Sequence, residues 1–284
     1  MFGLARIDPV KPEHFSDPVA AYDRLAAHYA GLSHKREPYL LSIEREIISR
    51  ISQGSQSLLD VGAGDGTRAL RIASQLGIER VVLVEPSKQM AGKSGDHAEV
   101  WPLRAEGLAQ GCLESAEEDN RACGPGTAER GRPYTIAERF EVITCLWNVL
   151  GHVPTAEKRL LALSAIARLL APNGRFFLDI NHRYNLCSYG VLPTGGRWIR
   201  DLFSHSENNG DVLAKWDVGE ASLSTYGHLF TNAEIIRLAD RAGLELEDRV
   251  VIDYESGQLC RFPFQGNLLY VFRRSSRIDS SSAP

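Results

Sequence analysis

Cysteine is scarce and scattered. The five, Cys112, Cys123, Cys145, Cys187 and Cys260, form no CxxC pair and follow no metal-ligand spacing. That excludes a zinc ribbon or a disulfide framework and fits reduced thiols. A basic surplus is missing too. The 32 Lys and Arg are outnumbered by 36 Asp and Glu, for a net charge of −4, which argues against a nucleic-acid partner. No apolar run approaches the roughly 18 residues of a membrane span. The opening MFGLARIDPVKPEH lacks a basic stretch followed by an apolar one, so a signal peptide is not expected and the expected location is cytoplasmic. No segment repeats. At 284 residues the chain is long for one plain domain and short for two, which predicts one α/β domain with insertions.

What is present is alternation. Residues 1–18 are proline-rich and without period, and read as a flexible arm. VAAYDRLAAHYAG (19–31) and PYLLSIEREIISRIS (38–52) have helical spacing. From residue 57 strands and helices take turns. SLLDVG, RVVLVEP, AEVWPLRAEG, FEVITCLWN and RFFLDIN carry strands 1 to 5. TRALRIASQLG, SKQMAGKSG and AEKRLLALSAIARLLAPNG read as helices. Strands rich in Val, Ile, Leu and Phe, with little polar alternation, predict a parallel sheet covered on both faces. Two stretches break the rhythm. Residues 111–138 are polar and rich in Gly and Pro, and predict a mobile insertion. Residues 183–227 hold Trp198, Phe203 and Trp216 in short alternating runs and predict extra strands forming a cap. TNAEIIRLADRAGLE then predicts a helix. LEDRVVIDYE and GNLLYVFRR predict two closing strands, and residues 276–284 a disordered tail.

The stretch LLDVGAGDGTRAL (58–70) poses a chemical question. A glycine-rich turn between strand and helix usually cradles a phosphate, because bare backbone N–H groups and the helix end attract an anion. Asp60 and Asp65 beside the turn would repel one. The glycines stand at 62, 64 and 66, and Thr67 occupies the place where the dinucleotide fingerprint needs its third glycine. Glu85 ends strand 2, where a carboxylate can take both hydroxyls of a ribose. The expected ligand therefore has a ribose, no phosphate at the turn and a cationic part near Asp60.

S-adenosylmethionine has all three features, and here the sequence resembles the class I S-adenosylmethionine-dependent methyltransferases over residues 20–275. LLDVGAGDGTRAL and VVLVEPSKQM are similar to the family's first and second motifs. AEG (105–107), FEVITCLWNVLGHV (140–153) and LLAPNGRFFLDIN (169–181) are similar to the third, fourth and fifth. The resemblance implies a Rossmann-like, mostly parallel seven-stranded sheet with helices on both faces and a reversed last strand. It implies one methyltransferase domain over 19–275, with lid helices at 19–53 and an inserted cap. S-adenosylhomocysteine would be the product.

Site roles follow from the same resemblance. Asp60, Gly62, Ala63 and Gly64 would lie against the methionine part and Glu85 would hold the ribose. Pro86 and Met90 would pack near the adenine, Ala105 and Glu106 would contact it, and Leu146 would lie beneath the cofactor. YDRLAAHYAGLSHKREPYL is similar to lid helices of relatives acting on amines of sugars or amino acids. In those relatives a tyrosine covers the cofactor and an arginine holds its carboxylate, which makes Tyr22, Tyr29 and Arg36 candidates.

Catalytic residues are expected after strands 4 and 5, at the carboxyl edge of the sheet where such folds bind ligands. His152 is a candidate base near neutral pH, and Asn148 a candidate for orienting the acceptor. His182 and Tyr184 are candidates for the acceptor pocket, with Tyr226 and His228 a further pair. Some relatives hold a metal with Glu-x-x-Glu-His here. Asn148 and Gly151 replace those carboxylates, so no metal is expected. The reading is methyl transfer to nitrogen or oxygen of a small molecule by in-line displacement, without nucleic acid or membrane, with a homodimer left open. The alternatives are an RNA or protein methyltransferase, a non-catalytic S-adenosylmethionine-binding scaffold, and a nicotinamide dehydrogenase, which Thr67 and the carboxylates flanking the turn disfavour.

Overall fold

The computed structural model describes residues 17–93, 98–101, 138–204, 206–218 and 221–275. Residues 1–16 of the expected arm (1–18), Ala105, Glu106, Cys112, Cys123, nearly all of the 111–138 insertion and the tail from 276 lie outside them; the arm's last two residues, Asp17 and Pro18, instead cap and start a helix.

The central sheet has eight strands in the order β3-β2-β1-β4-β5-β10-β8-β9. They are β1 (Ser57–Val61), β2 (Arg80–Val84), β3 (Glu99–Trp101), β4 (Phe140–Cys145), β5 (Leu170–Ile180), β8 (Leu244–Ile252), β9 (Leu259–Cys260) and β10 (Asn267–Arg274). The first five run parallel. β10 inserts antiparallel between β5 and β8. This is the expected mostly parallel sheet with a reversed strand. The eighth strand is the two-residue β9 at the edge, too short to leave a sequence signal.

Residue alternation sorts the core onto two faces. Leu58, Leu83 and Val142 point toward α3 (Glu37–Ile48) and α4 (Thr67–Leu76), where they meet Ile43, Ile47 and Ile72. Leu59, Val84 and Ile143 point the other way, toward α6 (Ala156–Leu169) and α9 (Asn232–Arg241), where they meet Leu163, Ile166 and Ile235. Thr231 and Glu234 close a capping box that starts α9.

Three local readings change. The first predicted helix is α1 (Pro18–Leu25) and α2 (Tyr29–His34), separated by a 3₁₀ turn at Ala26–His28. The helix expected to reach residue 174 stops at Leu169, and β5 begins at once. Pro172 has no N–H to donate and pushes the residue before it away from helix. In the 183–227 stretch the structure has α7 (Leu186–Tyr189), α8 (Val191–Phe203) and a hairpin of β6 (Asp211–Val218) and β7 (Ala221–His228). α8 was hidden by Pro193, Gly195 and Gly196, yet proline is tolerated in a helix's first turn. The remaining short helix, α5 (Lys88–Ala91), follows β2.

Candidate active site

The glycine loop leaves β1 through three left-handed residues, Gly62 (φ 72°), Gly64 (φ 61°) and Gly66 (φ 74°). Close approach requires two of them. A Cβ on Gly62 would stand 2.4 Å from Val149 Cγ1, and one on Gly64 would stand 3.2 Å from Met90 Cε and Tyr29 Oη. Glu85 pins the loop. Its Oε2 accepts from the Gly64 N–H at 2.8 Å and its Oε1 from the Ser87 N–H at 2.8 Å. Burial pushes its carboxyl up to about 7, although both backbone bonds pull the other way.

The two aspartates have separate explanations. Asp60 is buried under the loop, where Oδ1 accepts from Thr144 Oγ1 at 2.7 Å. Burial raises it to about 6, and the Thr144 bond and the Arg68 charge oppose the rise. Asp65 accepts from the Thr67 N–H at 3.2 Å and so serves the first turn of α4.

These elements frame a cavity of about 280 Å³. On the loop side it is lined by Gly62, Gly64, Glu85, Pro86 and Met90. The end of β4 and the 3₁₀ turn Val149–His152 supply Leu146, Trp147, Val149 and His152, and α1 and α2 supply Tyr22 and Tyr29. Asp23 holds α1 in place by accepting from Ser87 Oγ at 2.6 Å and from the Gln89 N–H at 3.2 Å.

His152 lies between two partners. Its Nδ1 is 2.8 Å from the Tyr226 carbonyl, and its Nε2 is 3.0 Å from Tyr22 Oη. A carbonyl only accepts, so Nδ1 carries the hydrogen and Nε2 presents its lone pair. Burial lowers the pKa of this imidazole below its ordinary 6.5. Burial likewise raises the Tyr22 hydroxyl far above 10 and takes Tyr29 up to about 12.

Of the residues singled out from the sequence, the cavity brings together Tyr22, Tyr29, Gly62, Gly64, Glu85, Pro86, Met90, Leu146 and His152. Others lie outside its lining. Asp60 sits beneath it, and Ala63 packs on the α3–α4 side of the sheet. Asn148, buried at φ 58°, staples two strand ends: its Oδ1 accepts from the Asn181 N–H at 3.0 Å. A Cβ at Gly151 would fall 2.2 Å from Asn148 Nδ2, so glycine is needed there. His182 is buried against Tyr184 (rings 5.8 Å apart), and burial lowers it to about 4. Tyr184 donates to Asp201 at 2.5 Å. Arg36 stacks on Tyr254 at 4.4 Å and pairs with Glu255 at 3.6 Å.

Sequence reasoning missed Arg68, Trp147 and Asp179. Arg68 lines the cavity and lies 5.6 Å from the Trp147 ring centre. Burial works against its charge, but Tyr29, Asp60, Glu44 and Asp179 outweigh it and raise its pKa. Asp179 accepts from Tyr39 Oη at 2.5 Å and from the Trp147 N–H at 2.8 Å, which fixes Trp147 in its left-handed conformation (φ 60°). No short motif marks these contacts. Among the described residues, no three His, Cys, Asp or Glu side chains gather as a metal-holding group.

Comparison with known proteins agrees with this geometry. The family described as "Methyltransferase domain" matches residues 32–248, so the chain belongs to that family and is a methyltransferase. No curated protein matches. Among solved structures, a S-adenosylmethionine-dependent methyltransferase from Clostridium acetobutylicum aligns at TM-score 0.56 and 12% identity, over 90% of this chain and 99% of that one. The CcbJ methyltransferase from Streptomyces caelestis aligns at 0.54 and 16%, over 83% and 90%. CalS10 from Micromonospora echinaspora, an amino pentose methyltransferase solved with S-adenosylmethionine bound, aligns at 0.52 and 15%, over 87% and 96%. At these identities the likeness is one of fold. No helix among the described residues is long and apolar enough to cross a membrane.

Proposed function

We propose that this chain moves a methyl group from S-adenosylmethionine to nitrogen or oxygen of a small molecule in the cytoplasm. The observation that carries the reading is Glu85. It directly follows β2, faces the cavity and uses one lone pair on each oxygen for a backbone N–H, so each oxygen keeps acceptor capacity for a ribose hydroxyl. The residues present fit the cofactor. Gly64 leaves open the space a Cβ would fill beside Met90 and Tyr29, and the loop's Gly62, Ala63, Gly64 and Gly66 N–H groups are committed within the protein, to the Val84 carbonyl, Glu85 and the Ala63 carbonyl.

The cofactor supplies an electrophilic methyl on a sulfonium; the protein's part is to align and to exclude water. Met90, Leu146 and Val149 give an apolar wall, and Tyr22 and Tyr29 on α1 and α2 cover it. Residues 19–53 would then act as the lid, and 183–227 as the cap, whose β7 lends its Tyr226 carbonyl to His152. Calorimetry tests the assignment. Binding of S-adenosylmethionine and S-adenosylhomocysteine, with none of NAD, is expected; NAD binding alone would overturn it.

A further inference from the structure

Beyond the loop, the cavity narrows to a small set of chemical groups. Its outer wall is apolar: Val19, Val149, Val153 and Pro154. Two features break it. One is the chain from the Tyr226 carbonyl through His152 to the Tyr22 hydroxyl, with both polar contacts of the imidazole made within the protein. The other is Lys158, in the first turn of α6, which is exposed and lines the same cavity. Its ammonium makes no ion pair among the described residues. The carboxylates of the described lining are two. Glu85 belongs to the loop end, and Asp17 caps α1 by accepting from the Val19 N–H at 3.1 Å.

We propose that the acceptor is a hydroxyl compound carrying an anionic group, methylated at oxygen, with Tyr22 and His152 taking its proton and Lys158 pairing with its charge. This rests on the methyltransferase reading above. The tautomer decides the direction of proton flow. Because Nδ1–H is committed to the Tyr226 carbonyl, Nε2 is the accepting nitrogen, and the Tyr22 hydroxyl donates to it. The Tyr22 oxygen is left to accept. The acceptor O–H passes its proton to Tyr22 Oη as Tyr22 passes its own to His152 Nε2. The electron pair freed on the acceptor oxygen forms the new O–C bond, and the pair of the broken C–S bond returns to sulfur. His152 finishes as the imidazolium and releases its proton to solvent. An ammonium acceptor would meet Lys158 as a like charge, whereas a carboxylate or sulfate on the acceptor would meet it as a partner.

The test uses the full-length chain and matched aryl frames of one to three rings. Each frame carries hydroxyl plus carboxylate, hydroxyl alone, or amine plus carboxylate. Three readouts are taken: calorimetric affinity for S-adenosylhomocysteine, calorimetric affinity of each frame for that complex, and label transfer from S-adenosylmethionine. Hydroxyl frames with a carboxylate are expected to bind and to be methylated at oxygen, and Lys158→Gln should weaken their binding about tenfold. His152→Gln and Tyr22→Phe should keep affinity for S-adenosylhomocysteine while transfer falls about 10²–10⁴-fold in the first. Four results would overturn the proposal: amine frames methylated faster; no hydroxyl frame bound by a chain that binds S-adenosylhomocysteine; unchanged affinity in Lys158→Gln; or, in Tyr22→Phe, cofactor affinity lost in step with rate. Failure to bind S-adenosylhomocysteine at all would instead strike the methyltransferase reading beneath it.

Discussion

The Tyr22 hydroxyl and His152 Nε2 stand 3.0 Å apart although 130 residues separate them in the chain. The rings meet edge to face, centroids 5.3 Å apart at 82°. One ring comes from the first helix and the other from the turn after β4, so this hydrogen bond, together with those of Asp23 to Ser87 and Gln89, joins the helix covering the cavity to the carboxyl edge of the sheet.

The first prediction follows from the state of His152. As a base it must be neutral, and burial holds its pKa below 6.5. Turnover at saturating substrate should be flat through neutral pH and fall only as pH drops through a value under 6.5. A limb above pH 7 in kcat would contradict the role, since kcat reports groups in the loaded enzyme.

Glu85 should leave a mark on stability. Its folded pKa of about 7 lies above the ordinary 4.5, so between these values the folded chain holds a proton that the unfolded chain has lost. Stability contributed this way is present at low pH and is lost as pH rises through about 7. Over the window these two values bound, from about 4.5 to 7, this contribution should make the melting temperature fall with rising pH. Glu85→Gln should flatten that slope; an unchanged slope would place the shift elsewhere.

Gly62→Ala should damage the loop. The new methyl would enter the space of Val149, 2.4 Å from its Cγ1, at a φ of 72° that alanine rarely adopts. A cost of about 1–3 kcal/mol is expected, read as a lower midpoint in denaturant, with a larger loss of cofactor affinity. Val149→Ala in the same chain should recover part of the stability, because it removes Cγ1 and Cγ2 and leaves the tight Cβ contact at 3.0 Å and the backbone strain.

Arg159 tests the anchoring of the hairpin. It is 1% exposed, donates to the Tyr226 hydroxyl at 2.5 Å and to the Val153 carbonyl at 3.0 Å, and lies within 3.7 Å of Asp211 and Glu234. His228 bonds both of those carboxylates, at 2.7 and 2.8 Å. Arg159→Met strands charges in a buried cluster and should cost about 3–5 kcal/mol in denaturant unfolding. A loss below about 1 kcal/mol would mean that Arg183, which also pairs with Glu234 at 2.9 Å, neutralises the cluster alone.

The sequence made the sheet legible because β1, β2, β4 and β5 are short apolar runs closed by glycine, proline or asparagine, and because Thr67–Leu76 starts after Gly66 and stops at Gly77. The loop end of the cavity was legible for the same local reason: the loop and Glu85 lie within one βα unit. The rest of its lining was not. Arg68, Trp147 and Asp179 act through contacts between segments far apart in sequence, such as Tyr39 with Asp179 across 140 residues. His182 and Tyr184 had the right residue types on the right edge of the sheet. The Arg183–Asp201 pair at 2.9 Å and the Tyr184–Asp201 bond turn that segment toward α8, whose polar side packs inward while Val191, Leu192 and Phe203 remain exposed. Nothing local in the sequence signals that turn.

The most direct measurement is a crystal structure of this chain with S-adenosylhomocysteine. The account predicts the ligand in the cavity, its ribose hydroxyls on the Glu85 carboxylate and its sulfur facing the side of Tyr22 and His152. A ligand seated elsewhere, or one whose ribose leaves Glu85 bonded only to Gly64 and Ser87, would contradict it.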